Sequence, residues 1–167
     1  MLLANLAVAY DWSGEDALGA RCWESAIEQA PDSLRDALHL LSLVNQVRQL
    51  LHAEQPVELT IPNPETAVEF SAKAIVDGQV RYPSSHHALA ELHCLMMAYW
   101  SSQSKLTDQR ANDQINYHRR CALESIEIAK EGGFYNYGNR WEQLQIDPLF
   151  NPLQTMPEWD RVLNTKD

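Results

Sequence analysis

The chain has few cysteines and few basic residues, and each shortage limits what it can be. Its three cysteines, Cys22, Cys94 and Cys121, are odd in number, lie far apart and form no CxxC pair. This usage favours free thiols in a reducing compartment, so we expect a cytoplasmic protein. Lysine and arginine total 13 against 23 acidic residues, which gives a net charge of -10. Nucleic-acid surfaces need clustered basic residues, so we expect no nucleic-acid partner.

Long hydrophobic runs and strand-like alternation are also missing. The most apolar predicted helix, around residues 88–100, contains Glu91 and His93 and is too short to span a bilayer. The N-terminal segment has no basic leader and is interrupted by Asp11, so we reject a signal peptide and expect no membrane partner. The absence of sustained alternation predicts an all-α fold. With 45% apolar and 22% charged residues, the composition is that of a globular domain.

Apolar residues recur at helical spacing in several segments that are separated by turn signals. The spacing predicts helices over residues 2–12, 14–30, 33–54, 64–78, 85–102 and 107–131. Proline and glycine end them at Pro31, Gly78 and Gly132-Gly133. Paired in order, the helices predict three hairpins and a cap within a single domain, at residues 2–30, 33–78, 85–131 and 134–165.

Three of these segments look like one helix written repeatedly. Residues 20–27, 67–75 and 122–129 each carry small side chains at helical spacing among aromatic or branched ones. Small residues at this spacing let a neighbouring helix approach closely, so the repeated helix is suited to stacking. Internal repetition of this size is typical of an α-helical solenoid, and such arrays commonly hold a partner.

The first hairpin resembles a tetratricopeptide repeat. The residues that fit the signature of this family are Leu3, Leu6, Ala7, Tyr10, Gly19, Trp23, Ala26 and Pro31. Positions in the later hairpins fit as well, namely Ala67, Ser71, Ala74, Leu92, Leu95, Tyr99, Ala122, Ile126 and Ala129. The second and third hairpins are longer than a standard repeat. The resemblance implies an α-α superhelix of about three hairpins with a C-terminal capping helix.

The tail is similar to the segment that closes repeat arrays in many bacterial signalling proteins. Its large apolar residues, Phe150, Leu153, Trp159 and Leu163, are predicted to cover the end of the last hairpin. A solenoid needs such a cap to stay soluble. At the other end the chain begins inside a repeat and exposes Leu2, Leu3 and Leu6. We expect preceding repeats of a larger signalling protein, or self-association into a homo-oligomer, to cover this edge.

The resemblance also implies a concave groove that is lined by the first helix of each hairpin. Its predicted partner-binding residues are Val8, Asp11, Trp12, Arg35, Leu38, Ser42, Asn45, His93, Met97 and Trp100. Tryptophan, methionine and a few polar groups suit a partner helix or an extended peptide, although the two tryptophans could equally pack on the following helices. The groove lacks the Lys/Asn/Arg set with which some family members clamp a terminal carboxylate. We therefore predict a non-catalytic protein-binding module.

Histidine and cysteine residues suggest alternatives to a protein-binding function. A metal-binding interpretation would use His86, His87, His93 and Cys94, but no further ligand completes a set at recognised spacing, so we expect no metal or cofactor. His118 and Cys121 lie three residues apart, as a base and a thiol nucleophile could, but nothing nearby suggests an oxyanion site. A small metal-binding protein or enzyme stays open, as does a sensor with a pocket beneath the predicted loop at residues 55–63.

Overall fold

The computed structural model describes residues 2–52, 83–103 and 109–164, and all regular structure in these ranges is helical. The predicted all-α class is therefore confirmed for them, and they contain no strand. The predicted loop at 55–63 and helix at 64–78 lie outside the described residues. Contacts divide the chain into two compact units, Met1–Val80 and Arg81–Asp167. None of the described helices combines the length and the apolar character needed to cross a bilayer.

Three helices lie in the described part of the first unit. They are α1 (Leu2–Ser13), α2 (Asp16–Gln29) and α3 (Asp32–His52). Gly14 between α1 and α2 has a φ of 78°, a left-handed conformation that glycine adopts without steric cost. Ala30 between α2 and α3 is extended, as expected for a residue that precedes a proline. These two short connections turn the chain back on itself and bring the three helices together.

Small residues let the helices of the first unit pack closely. Ala4, Ala7 and Ala26 are buried and share one core with Trp23 and Leu38. Alanine contributes little apolar area itself, but it allows the larger neighbours to reach one another across the helix interface. These three small side chains therefore face the neighbouring helices, whereas Ala20, the first small residue of the predicted segment 20–27, is exposed.

The second unit contains a long antiparallel hairpin of α4 (Pro83–Gln103) and α5 (Gln109–Glu131). Trp100, near the end of α4, lies beside Arg110 at the start of α5. Pro83, at the start of α4, lies beside Gly132 just after α5. Gly133 has a φ of 77° and ends the hairpin in the left-handed conformation that is typical after a helix. The predicted stop at the two glycines is thus confirmed.

Short helices cover the end of this hairpin. They comprise two 3-10 turns, Phe134–Asn136 and Pro148–Phe150, and the helices α6 (Arg140–Ile146), α7 (Asn151–Gln154) and α8 (Pro157–Asn164). Phe150, Leu153 and Trp159 are buried in one core with Ala122 and Ile126 of α5. The predicted covering of the hairpin by the tail is confirmed for these three large residues. The side chain of Leu163 lies outside the described part of the chain.

Polar contacts hold these short helices in place. Lys130 Nζ, in the last turn of α5, donates to the Val162 carbonyl at 2.6 Å and lies 5.1 Å from the centre of the Trp141 ring. Asp147 Oδ1 accepts from the Leu149 amide at 2.9 Å and so caps the second 3-10 turn. Lys130 of α5 therefore contacts the covering segment both near its start, at Trp141, and near its end, at Val162.

We expect Gly19→Ala to destabilise the protein, although alanine favours a helix over glycine by about 1 kcal/mol. A Cβ atom at this position would overlap the Asp11 carboxylate and lie 3.4 Å from the Ala7 carbonyl oxygen. Because hydrogen bonds hold that carboxylate, the overlap should cost about 1–3 kcal/mol of unfolding free energy in urea denaturation.

The Asp11→Ala background provides the control for Gly19→Ala. With the carboxylate removed, the added methyl group has room near the helix, and only the helix preference of alanine is left. The second substitution should then be neutral or stabilising. Equal destabilisation in both backgrounds would contradict the overlap as the cause.

Candidate functional site

Asp11 of α1 joins all three helices of the first unit. Its Oδ2 atom accepts a hydrogen bond from Trp23 Nε1 of α2 at 2.9 Å and another from Asn45 Nδ2 of α3. Its main-chain carbonyl accepts from Gln49 Nε2 of α3 at 3.2 Å. Asn45 is buried, so its amide needs a partner inside the fold. The structure thus brings together Asp11 and Asn45 of the predicted groove.

A polar stripe runs along α3 beside these contacts. It consists of Ser42, Asn45, Gln46 and Gln49. The last three lie three, four and seven residues after Ser42, so all four share a helix face. Gln46 Nε2 donates to Ser42 Oγ at 3.3 Å. The sequence interpretation missed Gln46 and Gln49, although their helical spacing from Ser42 could have found them. Together with Val8, Asp11 and Trp12 of α1, these residues form what we name the α1/α3 face.

Trp12 is the aromatic residue of the α1/α3 face, and its side chain is exposed. Its exposed fraction is 69%, whereas Val8 is half-buried against the core of the first unit. An indole ring that leaves this much apolar surface in water is an unusual feature of a folded helix and a common anchor in protein interfaces. Of the two tryptophans in the predicted groove, Trp100 is half-buried, and the Arg110 guanidinium lies 5.6 Å from its ring centre.

Four predicted groove residues are buried instead. The exposed fractions of Leu38, Asn45, His93 and Met97 are only 4%, 5%, 5% and 2%, so these side chains have almost no surface for a partner. Leu38 belongs to the core of the first unit, and Met97 belongs to that of the second. Arg35 lies at the start of α3, where it contacts Asp32 at 2.8 Å and donates to the Ala30 carbonyl at 3.1 Å.

A buried histidine pair connects the two long helices of the second unit. His93 Nδ1 of α4 and His118 Nδ1 of α5 lie 2.9 Å apart, and both side chains are buried. One of these nitrogens must carry the proton and donate while the other accepts, which requires opposite tautomers. Burial, with the neighbouring His118 as a smaller cause, lowers the pKa of His93 to about 3. Burial also lowers the pKa of His118 to about 4, so both imidazoles are neutral at pH 7.

Two other residues of the metal-binding alternative, His87 and Cys94, lie in different surroundings. His87 Nδ1 pairs with the Tyr135 hydroxyl at 2.9 Å, and its ring stacks on Phe134. Burial, followed by the charge of Glu91, raises the pKa of the Cys94 thiol. Within the described ranges, no group of three or more His, Cys, Asp or Glu side chains could hold a metal ion.

His118 and Cys121 do not show the geometry of an activated thiol. His118 Nδ1 is bonded to His93, and Cys121 shares a hydrogen bond with Tyr117. Burial is the main cause that raises the pKa of the Cys121 thiol. A nucleophilic cysteine needs the opposite shift, because the thiolate is its reactive form. The hydrogen bond between His93 and His118 is therefore a structural contact between two neutral side chains.

The histidine pair predicts a loss of stability in mild acid. Both folded pKa values lie below the ordinary value of 6.5, so the unfolded chain binds more protons as the pH falls below 6.5. Stability is fully present above pH 6.5 and decreases toward pH 4, by at most about 1.4 kcal/mol per pH unit for each histidine. Urea unfolding at several pH values measures this slope.

The double variant His93→Leu/His118→Leu separates this effect from other titrations. Replacing both partners by apolar groups leaves no buried donor unsatisfied, so the variant should fold and show a shallower loss between pH 6.5 and 4. His39→Leu, which changes an exposed histidine, is the control and should retain the slope of the parent. The same slope in the double variant as in the parent would disprove this assignment.

No family model, curated protein sequence or solved structure matches the chain. The resemblance of the first hairpin to a tetratricopeptide repeat therefore stays a prediction, and functional inference rests on the contacts of the chain itself.

Proposed function

We propose that the chain is a non-catalytic protein-binding module of tetratricopeptide-like hairpins and that its α1/α3 face binds an extended segment of a partner protein. The observation that carries this proposal is the relation between α1 and α3. Asn45 lies 34 residues after Asp11, and its side-chain amide donates a hydrogen bond to the Asp11 carboxylate. This separation equals the length of one tetratricopeptide repeat. Equivalent residues of adjacent repeats would lie side by side in just this way.

The direction of the helices supports the same proposal. Ala4 and Ala7, from the first half of α1, share a core with Leu38, from the first half of α3. Asp11, near the end of α1, contacts Asn45 and residues beyond it in the second half of α3. The two helices therefore run parallel, with α2 returning between them. This is the arrangement expected of the first helices of two successive hairpins in a solenoid.

The chemistry of the α1/α3 face suits an extended peptide. Gln46 and Gln49 are half-buried, and each amide has both a donor and an acceptor, as a peptide group does. Trp12 adds an exposed ring that a partner side chain can cover. Side-chain amides can hydrogen-bond the main chain of an extended segment, while the indole ring anchors one of its side chains. We place this activity in the cytoplasm, as part of a larger signalling or regulatory assembly.

Self-association through α1 stays a second prediction. The side chains of Leu2 and Leu6 are 83% and 40% exposed, and a second copy of the chain could cover them. Light scattering at several protein concentrations measures the molecular mass, which should rise with concentration if the chain self-associates. The double variant Leu2→Ser/Leu6→Ser should abolish this rise. A mass that stays that of a monomer in the parent protein would contradict self-association.

The partner-binding proposal predicts that Trp12→Ala removes binding while leaving the fold intact. A central tryptophan anchor contributes about 2 kcal/mol or more, so the affinity of a captured partner should fall at least about thirtyfold. The measurement is quantitative affinity capture from the source cell, followed by titration with the recovered partner. Circular dichroism checks that the helices are retained.

Tyr137→Ala is the matched control for Trp12→Ala. Tyr137 is 69% exposed, the same fraction as Trp12, but it lies in the second unit. Partners that are lost with Trp12→Ala and kept with Tyr137→Ala support the α1/α3 face. Partners that bind the Trp12→Ala variant with unchanged affinity contradict the proposed role of the α1/α3 face.

A further inference from the structure

The contact between His93 and His118 needs at least one neutral imidazole. Their Nδ1 atoms lie 2.9 Å apart, so one nitrogen donates its proton while the other accepts with its lone pair. The contact survives when one ring is charged, because the other ring can still accept. When both rings are charged, every ring nitrogen carries a hydrogen, and two Nδ1–H groups point at each other. The hydrogen bond is then replaced by a repulsion between like charges.

The surroundings of the pair do not neutralise a second charge. The exposed fractions of His93 and His118 are 5% and 2%, so water solvates them little. The ring centroid of Tyr117 in α5 lies 6.4 Å from that of His93 and 5.2 Å from that of His118. The charge of Cys121 is the first cause that raises the pKa of Tyr117, so this side chain is a neutral phenol in acid. In the ranges that the structure describes, no carboxylate is among the causes that shift the pKa of either histidine.

The charged side chains of the two helices act on other groups. After burial, which is the main cause, Glu91 of α4 raises the pKa of Tyr135 in the first 3-10 turn. Glu124 and Arg120 of α5 shift the pKa of Cys121 in opposite directions, again after burial as the main cause. A second proton on the histidine pair is therefore a buried charge without a counter-ion among these groups, and such a charge is costly.

The histidine pair lies near the middle of both long helices. Met97 of α4 and Ala122 of α5 follow His93 and His118 by four residues each, and both are buried in the core of the second unit. Fraying at either end of the hairpin therefore cannot relieve a repulsion at the pair. The helices must separate along the packed part of their interface, which uncovers this core.

Each of the two units has a core of its own. The core of the first unit is formed by residues of α1, α2 and α3, and that of the second unit by residues of α4, α5 and the short helices that cover them. The described histidine side chain of the first unit, His39, is exposed, so it takes up a proton without leaving water. Charging of histidines therefore acts on the second unit.

We propose that the second unit is an acid-sensitive switch, in which charging of both His93 and His118 separates α4 from α5 while the first unit stays folded. The open form exposes the apolar core between the hairpin and its covering helices, including the thiol of Cys94. A surface that is closed at neutral pH thus becomes accessible in acid. This switch does not depend on the α1/α3 face.

The direction of the switch follows from proton linkage. Burial, and for His93 also the charge of His118, lowers the folded pKa values of His93 and His118 to about 3 and about 4, whereas the ordinary value of 6.5 applies in an open form. The open form therefore binds more protons as the pH falls below 6.5, and acid favours it. Each histidine can raise the opening constant up to about tenfold per pH unit, so the pair can raise it up to about a hundredfold.

The test is hydrogen exchange of the full-length protein, measured by mass spectrometry between pH 7 and pH 4.5. Exchange times are scaled to the intrinsic rate at each pH, so that the protection factors report opening. Peptides from α4 and α5 should lose protection steeply below pH 6.5, by up to about a hundredfold per pH unit. Peptides from α1 and α2 should keep their protection and serve as the internal reference.

A thiol probe measures the exposure of the core directly. Cys94 is 2% exposed in the closed form, so its reaction with 4,4′-dithiodipyridine should become faster in acid relative to that of free cysteine under the same conditions. A thiol whose accessibility does not change keeps a constant ratio to free cysteine, because both lose thiolate as the pH falls. Cys22, the half-buried thiol of the first unit, should show such a constant ratio in peptide mass spectrometry.

Two double variants remove the titration in different ways. His93→Leu/His118→Leu replaces the contact by apolar packing, and His93→Asn/His118→Asn keeps a polar pair that takes up no proton. Both retain His86 and His87, the other histidines of the second unit. In each of them the protection of α4 and α5 should lose most of its pH dependence. The single variant His118→Asn leaves one titrating ring, so its loss should be up to about tenfold per pH unit.

The outcomes separate this switch from general acid denaturation. Loss of protection in α1 and α2 together with α4 and α5 would overturn the proposal, because the chain would then unfold as one unit. Unchanged pH dependence in a folded double variant would also overturn it, because other groups would then carry the titration. Constant protection of α4 and α5 down to pH 4.5 would show that the second unit does not open. A selective loss in the parent that both double variants abolish supports the switch.

Discussion

Close contact between helices at alanine and glycine positions is the constraint on which this structure depends. In the first unit Ala7 is fully buried, and Gly19 lies directly beneath the Asp11 carboxylate. In the second unit Ala122 and Ala129 are fully buried at the surface where the short helices cover α5. A larger side chain at such positions would push the helices apart and open voids between the large residues, and protein interiors do not tolerate such voids well.

Polar contacts then specify how the closely packed helices are aligned. Asp11 connects three helices in the first unit, and His93 with His118 connects two in the second. Hydrogen bonds of this kind add little net stability, but an unpaired group in the same buried place is costly. Alternative alignments of the same apolar faces would leave these groups without partners. Packing therefore brings the helices together, and buried polar groups select one arrangement.

Much of the fold could be predicted from local signals, whereas the site needed information that a single helix does not contain. The helix predicted at 33–54 is observed as Asp32–His52, because apolar periodicity and Pro31 mark it clearly. The resemblance to a tetratricopeptide repeat assigns Leu38 and Met97 to a groove because it implies that the first helix of each hairpin lines one. Which face of such a helix is left to solvent depends on where the next helix packs. The contact of His93 with His118 depends likewise on the register of two helices and has no local signature.

The carboxylate of Asp11 limits which substitutions this hairpin can accept during evolution. Its two side-chain donors come from Trp23 and Asn45, and the residue below it, Gly19, must lack a side chain. A change of Asp11 alone leaves the Asn45 amide and the Trp23 indole N–H without their acceptor, and a side chain at position 19 overlaps the carboxylate. Homologues of the chain should consequently either keep all four residues or replace them together. Homologues that keep the whole set would then share this hairpin.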